Sequence, residues 1–110
     1  MWYIFPQIQG LGMSSVSKHY AIKDIAEAKQ YLRHQVLGPR LISLCEELLR
    51  AKESDAYSIF GSPDDLKLKS SMTLFSEADD TIPVFKMVLE KFFNGRKDIR
   101  TMELLGKESD

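Results

Sequence analysis

Residues 62–75 read SPDDLKLKSSMTLF, and the reading of this stretch decides the fold. Ser62 is a good N-cap, Pro63 suits the first helical position, and Asp65 stands at N3. A helix is therefore predicted from here onward. On a 100° wheel Leu68, Met72 and Phe75 cluster on one side, while Leu66, Ser70 and Leu74 lie on others. Apolar residues on most faces describe a helix surrounded by protein rather than one resting on a surface. Such a helix needs other elements on all sides. The polar residues divide in the same way. Asp64, Lys67 and Ser71 follow i, i+3, i+7 and share a stripe bordering Leu68 and Phe75. Asp65 and Lys69 have the i, i+4 spacing of a surface acid–base pair.

The covering elements are readable on either side. Asp24 is an N-cap for IAEAKQYLRHQ, with Glu27 as its capping-box partner and Ile25, Ala28, Tyr31 and Leu32 as the apolar stripe. Gly38-Pro39 is expected to break and restart the chain, Pro39 entering a first helical turn. Leu41, Leu44, Cys45, Leu48 and Leu49 then give the clearest amphipathic pattern in the sequence. A short helix is expected over 54–60, ended by Gly61. Asp79-Asp80-Thr81 opens another, with Pro83 early and Val84, Phe85, Val88, Leu89 and Phe92 as its buried face; Asn94-Gly95 closes it. Thr101 to Leu105 forms a last short helix before Gly106. Residues 2–8, WYIFPQI, allow a short extended segment that Pro6 confines to an edge. The expectation is an all-α single domain over residues 1–106, with roughly five to seven helices and a loose tail at 107–110.

Composition excludes several function classes. The 110 residues carry 15 Lys and Arg against 16 Asp and Glu, a formal charge of −1, without the excess of cations that phosphate neutralisation needs, so no nucleic-acid partner is expected. The single cysteine, Cys45, allows neither an internal disulfide nor a multi-cysteine metal site. It falls on the apolar stripe of its helix, where a thiol behaves as a small hydrophobe. A reducing, cytoplasmic setting fits. His19 and His34 lie in no metal-ligand spacing. No apolar run approaches a membrane span, and the apolar start lacks the basic region of a signal peptide. No metal and no cofactor are expected.

The stripe of residues 64, 67 and 71 is where a site is expected. A lysine on an enclosed helix must be paired or must open to a cleft. Two readings follow. In one, Asp64 holds Lys67 inside the core and the serines bond back to backbone carbonyls. In the other, a desolvated Lys67 acts as a base beside Ser70 or Ser71, although the order departs from the S-x-x-K nucleophile motif. Gly10-Leu11-Gly12 lacks dinucleotide or P-loop spacing and reads as a turn.

The runs WYIFPQIQGLG, KHYAI, EAKQYL, HQVLGPRL, IFGSPDDLKLKSSMTLF and VFKMVLEKFFNGRKDIRTMELL occur in an order that resembles the domain of unknown function 1810 family. The resemblance covers nearly all of residues 1–105 and implies a small, mainly helical intracellular domain, with no reaction attached. Trp2, Phe5, Gln7, Tyr20, Asp64, Lys67, Ser70 and Ser71 match family positions. Family members usually begin roughly thirty residues earlier, with a helix leading into an HWMWFIFPQ-like segment, and tend to have Pro where Gln35 stands. The expected function is a non-catalytic binding or accessory domain. The alternative is a binding protein or enzyme for an anionic metabolite or nucleotide, using Trp2, Gln7, Tyr20, Asp64, Lys67, Ser70 and Ser71. A homodimer through the aromatic N-terminal segment is compatible with either.

Overall fold

Seven consecutive residues of one helix, 70–76, are buried. A helix 3.6 residues per turn has no solvent-facing side over such a stretch. The structure is a computed structural model, and it describes Pro6 and residues 22–55, 58–59, 61 and 64–106. The helices defined within those residues are α1 (Ile25–Arg33), α2 (Leu37–Arg50), α3 (Asp64–Ala78), α4 (Val84–Phe93) and α5 (Ile99–Leu104). Helix α3 is the enclosed one. Helices α1, α4 and α5 pack on it, and α2 closes the arrangement against α1 and α4. The all-α expectation is met: the described residues form no sheet.

The core is built where the apolar patterns meet. Leu68, Met72, Leu74 and Phe75 of α3 are wholly buried, with Ala28, Leu41, Cys45, Phe85, Val88 and Leu89 around them. Phe75 sits between two rings, its centroid 5.4 Å from Tyr31 and 5.6 Å from Phe85. Both pairs are tilted at distances where aromatic contacts add to area burial. Cys45 Sγ lies 3.6 Å from Met72 Sδ. Burial pushes the Cys45 thiol up to about 12, with Glu46 adding to the effect. The core reading of this residue holds.

Capping explains most of the boundaries. The Asp24 carboxylate accepts the Glu27 N–H at 2.9 Å, as the sequence predicts. Asn94, at φ 56°, and Gly95, at φ 78°, end α4 in the left-handed region, and the Gly95 N–H reaches back to Leu89 O at 2.9 Å. Helix α5 starts earlier than expected. Its N-cap is Asp98, whose carboxylate accepts from the Thr101 N–H at 2.9 Å and the Thr101 hydroxyl at 2.7 Å.

Three local expectations are corrected and a fourth is met in part. Gly38-Pro39 does not break the chain: α2 already begins at Leu37, and the turn falls at residues 34–36. Gly38 is buried against α1, where a Cβ would stand 2.1 Å from Leu32 O. It is therefore glycine for close approach, not for a turn. The His34 ring takes the capping role, its Nδ1 accepting the N–H groups of Val36 and Leu37, each at 3.1 Å. Asp79-Asp80-Thr81 does not cap α4; Pro83 occupies the N-cap position with no side-chain bond. The Asp65–Lys69 pair is not formed either. Asp65 turns to the Leu66 N–H at 2.9 Å, and the Lys69 ammonium stands 5.9 Å from the centre of the Phe93 ring. Of the expected helix over 54–60, Ser58 and Ile59 are helical, and Gly61 has the expected positive φ of 71°. Ser62, Pro63 and the segments 1–5, 7–21 and 107–110 lie outside the described residues.

One long-range tie escaped the sequence reading. Lys91 of α4 donates to Leu48 O at 2.8 Å, Leu49 O at 3.1 Å and Ala51 O. These carbonyls lie at the C-terminal end of α2, where Leu48 O takes only a 3.3 Å bond from the Ala51 N–H and where a cation complements the dipole.

Candidate functional site

Helix α3 ends after Ala78, and the chain turns sharply to reach α4. The Asp79 N–H still bonds Phe75 O at 3.1 Å, completing the last helical turn. Asp79 Oδ1 then accepts from the N–H of Thr81 at 3.0 Å and from its hydroxyl. This Asx-type turn fixes residues 79–82. A cleft of about 660 Å³ opens here, between α1, the end of α3 and the first turn of α4.

Three elements line it. Helix α1 contributes Lys29, Leu32 and Arg33; α3 contributes Ser76, Glu77 and Ala78. Asp79, Asp80 and Ile82 come from the turn, and Lys86 from α4. Lys29 and Arg33 are i, i+4 neighbours and therefore share one edge of α1. Leu32 and Ile82 supply apolar wall, as both pack on the core.

The charges are not equally engaged. Glu77 pairs with Lys97 at 2.9 Å, with the Glu77 side chain only 14% exposed. Asp79 is held below the ordinary carboxylate range, first by the Thr81 hydroxyl, then by the Thr81 N–H; Arg33 and Lys29 act in the same direction at longer range, and desolvation opposes them. Asp80 is exposed. Among the described residues, Lys29, Arg33 and Lys86 make no side-chain hydrogen bond and no contact ion pair. Their donors point to solvent or into the cleft.

Of the residues expected to form a site, the structure describes the side chains of Lys67, Ser70 and Ser71. Trp2, Gln7 and Tyr20, and the side chain of Asp64, fall outside the described residues. Lys67 is half-buried and Ser70 buried on α3. Ser70 Oγ donates to Lys67 O at 3.1 Å. Thr73 does the same to Lys69 O at 2.8 Å, and Ser76 to Thr73 O at 2.9 Å. These are the back-bonds expected of hydroxyls inside a helix. Thr73 Oγ1 also accepts the Asp98 N–H at 2.8 Å, which ties α5 to α3. Ser71 is the exception: its Oγ is buried without a hydrogen-bond partner. None of Lys67, Ser70 and Ser71 is among the cleft-lining residues above.

Sequence reasoning missed the cleft. Its one local signal was the Lys29–Arg33 spacing on α1. Nothing local relates those cations to Lys86 or to the Asp79 turn, because the tertiary fold alone brings them together. Among the described residues, no group of three His, Cys, Asp or Glu is placed to hold a metal ion, and no helix is long and apolar enough to cross a membrane.

Comparison with known proteins adds the following. The crystal structure of the conserved hypothetical protein Rv1873 from Mycobacterium tuberculosis, at 1.38 Å, superposes with a TM-score of 0.93. The two share 43% sequence identity, over 97% of this chain and 76% of that one. No curated protein matches. The model of the family described as "Protein of unknown function (DUF1810)" matches residues 1–105. With nearly the whole length matched and a solved structure this similar in sequence and fold, the chain belongs to the DUF1810 family.

Proposed function

We propose that this protein is a non-catalytic binding domain whose ligand sits in the cleft between α1, α3 and α4. The observation that carries the reading is the chemistry of the lining. It offers charged groups of both signs and an apolar wall, and its one hydroxyl, that of Ser76, is bonded to Thr73 O at 2.9 Å. Nucleophilic catalysis needs an activated nucleophile beside a base. The Cys45 thiol is buried and pushed up to about 12, far from the thiolate state that such chemistry uses. A volume of about 660 Å³ falls in the range of small-molecule sites.

The alternative site around Asp64, Lys67 and Ser71 has one supporting atom, the orphaned Ser71 Oγ. That residue has no solvent exposure at all, so a ligand from solution reaches the cleft more readily. A cytoplasmic location belongs to the same reading, because a lone buried thiol suits a reducing compartment. Self-association through the aromatic segment around Trp2 and Phe5 is a separate possibility that mass measurement in solution tests directly.

The functional test is a thermal-shift panel of nucleotides, sugar phosphates, organic acids and amines, followed by mass spectrometry of each compound that binds. A ligand that binds the native state alone raises the melting temperature in a saturable way. The expected result is such a shift with the compound recovered unchanged. Conversion of the compound, abolished by substitution of a lining residue, overturns the non-catalytic reading.

A further inference from the structure

We infer that the cleft takes a small oxyanion, a carboxylate or a phosphate, with Arg33, Lys29 and Lys86 as its donors. This rests on the binding reading above and names the ligand class.

The argument is a balance of unused hydrogen-bonding capacity. Two of the three lining acids are committed to contacts within the protein. Glu77 holds Lys97 at 2.9 Å. Asp79 Oδ1 takes two bonds from Thr81. Asp80 lines the cleft and is exposed, as the three cations are. The three cations are not committed to any contact partner among the described residues. An arginine carries five N–H donors in a planar fork and each lysine three, with no acceptors among them. A ligand that satisfies this surplus must bring acceptors.

Formal charge points the same way. Lys29, Arg33 and Lys86 outnumber Asp79 and Asp80 once Glu77 is set against Lys97. The helix ends do not reverse this. The C-termini of α1 and α3 and the N-terminus of α4 border the cleft, which leaves about half a negative charge, less than the formal excess of one cation. Arg33 is the expected principal contact, because its fork matches two oxygens of a carboxylate or phosphate at once. Leu32 and Ile82 then leave room for an apolar or ring-shaped body attached to the anion.

The test is a titration of the full chain followed by amide NMR, with inorganic phosphate, succinate and putrescine as separate ligands. It is repeated on Arg33→Gln and Lys86→Gln, and on Lys52→Gln, an exposed lysine outside the cleft. All three positions are at the surface, and circular dichroism verifies that each variant is folded. Phosphate or succinate is expected to give saturable shifts confined to residues 29–33 and 76–86. Binding weakens about tenfold in Arg33→Gln, as loss of a charge-assisted pair implies. It weakens less in Lys86→Gln, falls with added salt, and is unchanged in Lys52→Gln. Which of the two anions binds tells phosphate from carboxylate. No saturable shift with either anion overturns the inference, as does equal affinity in Arg33→Gln. Putrescine binding in the cleft overturns the ligand class while leaving the binding reading intact. Conversion of a bound compound would instead overturn the binding reading.

Discussion

Gly38→Ala separates two physical effects that pull in opposite directions. Gly38 is the second residue of α2 and is buried. By helix propensity alone alanine would gain about 1 kcal/mol, chiefly because it narrows the unfolded ensemble. This effect predicts a more stable protein. The local geometry predicts the reverse. An added Cβ would stand 2.1 Å from Leu32 O, 2.9 Å from Leu32 C and 3.3 Å from Leu32 Cα. All three are backbone atoms, so no rotamer change relieves the contact. The end of α1 and the start of α2 would have to separate by roughly 1.3 Å or more to restore ordinary contact. That displacement also loosens the Gly38 N–H bond to His34 O, 3.2 Å long.

Overpacking costs about 1–3 kcal/mol where side chains can adjust, and here the backbone must move, so the upper end applies. The expected net effect is a loss of about 2 kcal/mol or more. For a domain of this size that lowers the melting temperature by roughly 10 °C. Urea unfolding measures it, with an unchanged slope m showing that the midpoint shift is a stability change. Gly106→Ala is the control: its φ is 75°, with nothing within 4 Å of the added Cβ. It should lose only the left-handed strain, about 1 kcal/mol. A Gly38→Ala protein as stable as wild type, or more stable, refutes the claim that close approach is why glycine stands there.

Three further outcomes are expected. Lys91→Met leaves the last carbonyls of α2 without their cation and should cost about 1.5–3 kcal/mol in urea unfolding; a cost near zero would mean water replaces the ammonium. The Cys45 thiol should resist aromatic disulfide reagents in the native state and react at the rate of unfolding. Its titration gives a sign as well: the unfolded thiol ionises near 9.0 and the folded one near 12, so the unfolded state releases its proton first and stability falls as pH rises above 9.0. Cys45→Ala should remove the slope that begins near 9.0, leaving the one above 10.0 that burial of the Tyr31 hydroxyl contributes; a slope near 9.0 that persists assigns it to another group. Ser71→Ala should be neutral or stabilising by up to about 1 kcal/mol, because it removes a buried hydroxyl with no partner. A loss above about 1 kcal/mol would show that Ser71 Oγ is satisfied in solution.

Much of the fold was legible because its signals are local. Apolar spacing places α2 and the buried face of α4, and the Asp24 cap and the Asn94-Gly95 stop mark helix ends through bonds that span a few residues. The misreadings have two causes. Gly38 and Lys91 owe their roles to partners in other elements, whereas Asp98 carries a local cap to Thr101, three residues on, that the apolar pattern did not bring out. Gly38 looks like a turn glycine until Leu32 O is seen against it. Asp98 looks like a linker acid, yet it caps α5 while its own N–H meets Thr73 on α3. Lys91 reads as an exposed position in VLEKFF, yet it closes a helix more than forty residues away in sequence. The cleft belongs with Gly38 and Lys91, since its donors come from α1 and α4 and its shape from the turn between α3 and α4.

The hydroxyls of SSMT thereby change meaning. A helix enclosed on all sides needs small side chains where its neighbours come close, and it must not leave polar atoms stranded. Ser70, Thr73 and Ser76 meet both demands by donating to carbonyls of their own helix. Thr73 goes further and accepts the N–H at the head of α5. A polar run in mid-helix that looked like reactive chemistry is in this respect an architectural solution. The rigid cylinder it produces ends at Ala78, and it is this end, braced by the Asp79–Thr81 turn, that holds the cleft open opposite Arg33. The cleft therefore lies at the terminus of the helix that sequence reading singled out, not along its buried length. Ser71 alone is left over, and the stability of its alanine variant decides whether its buried Oγ is a packing compromise or part of a second site.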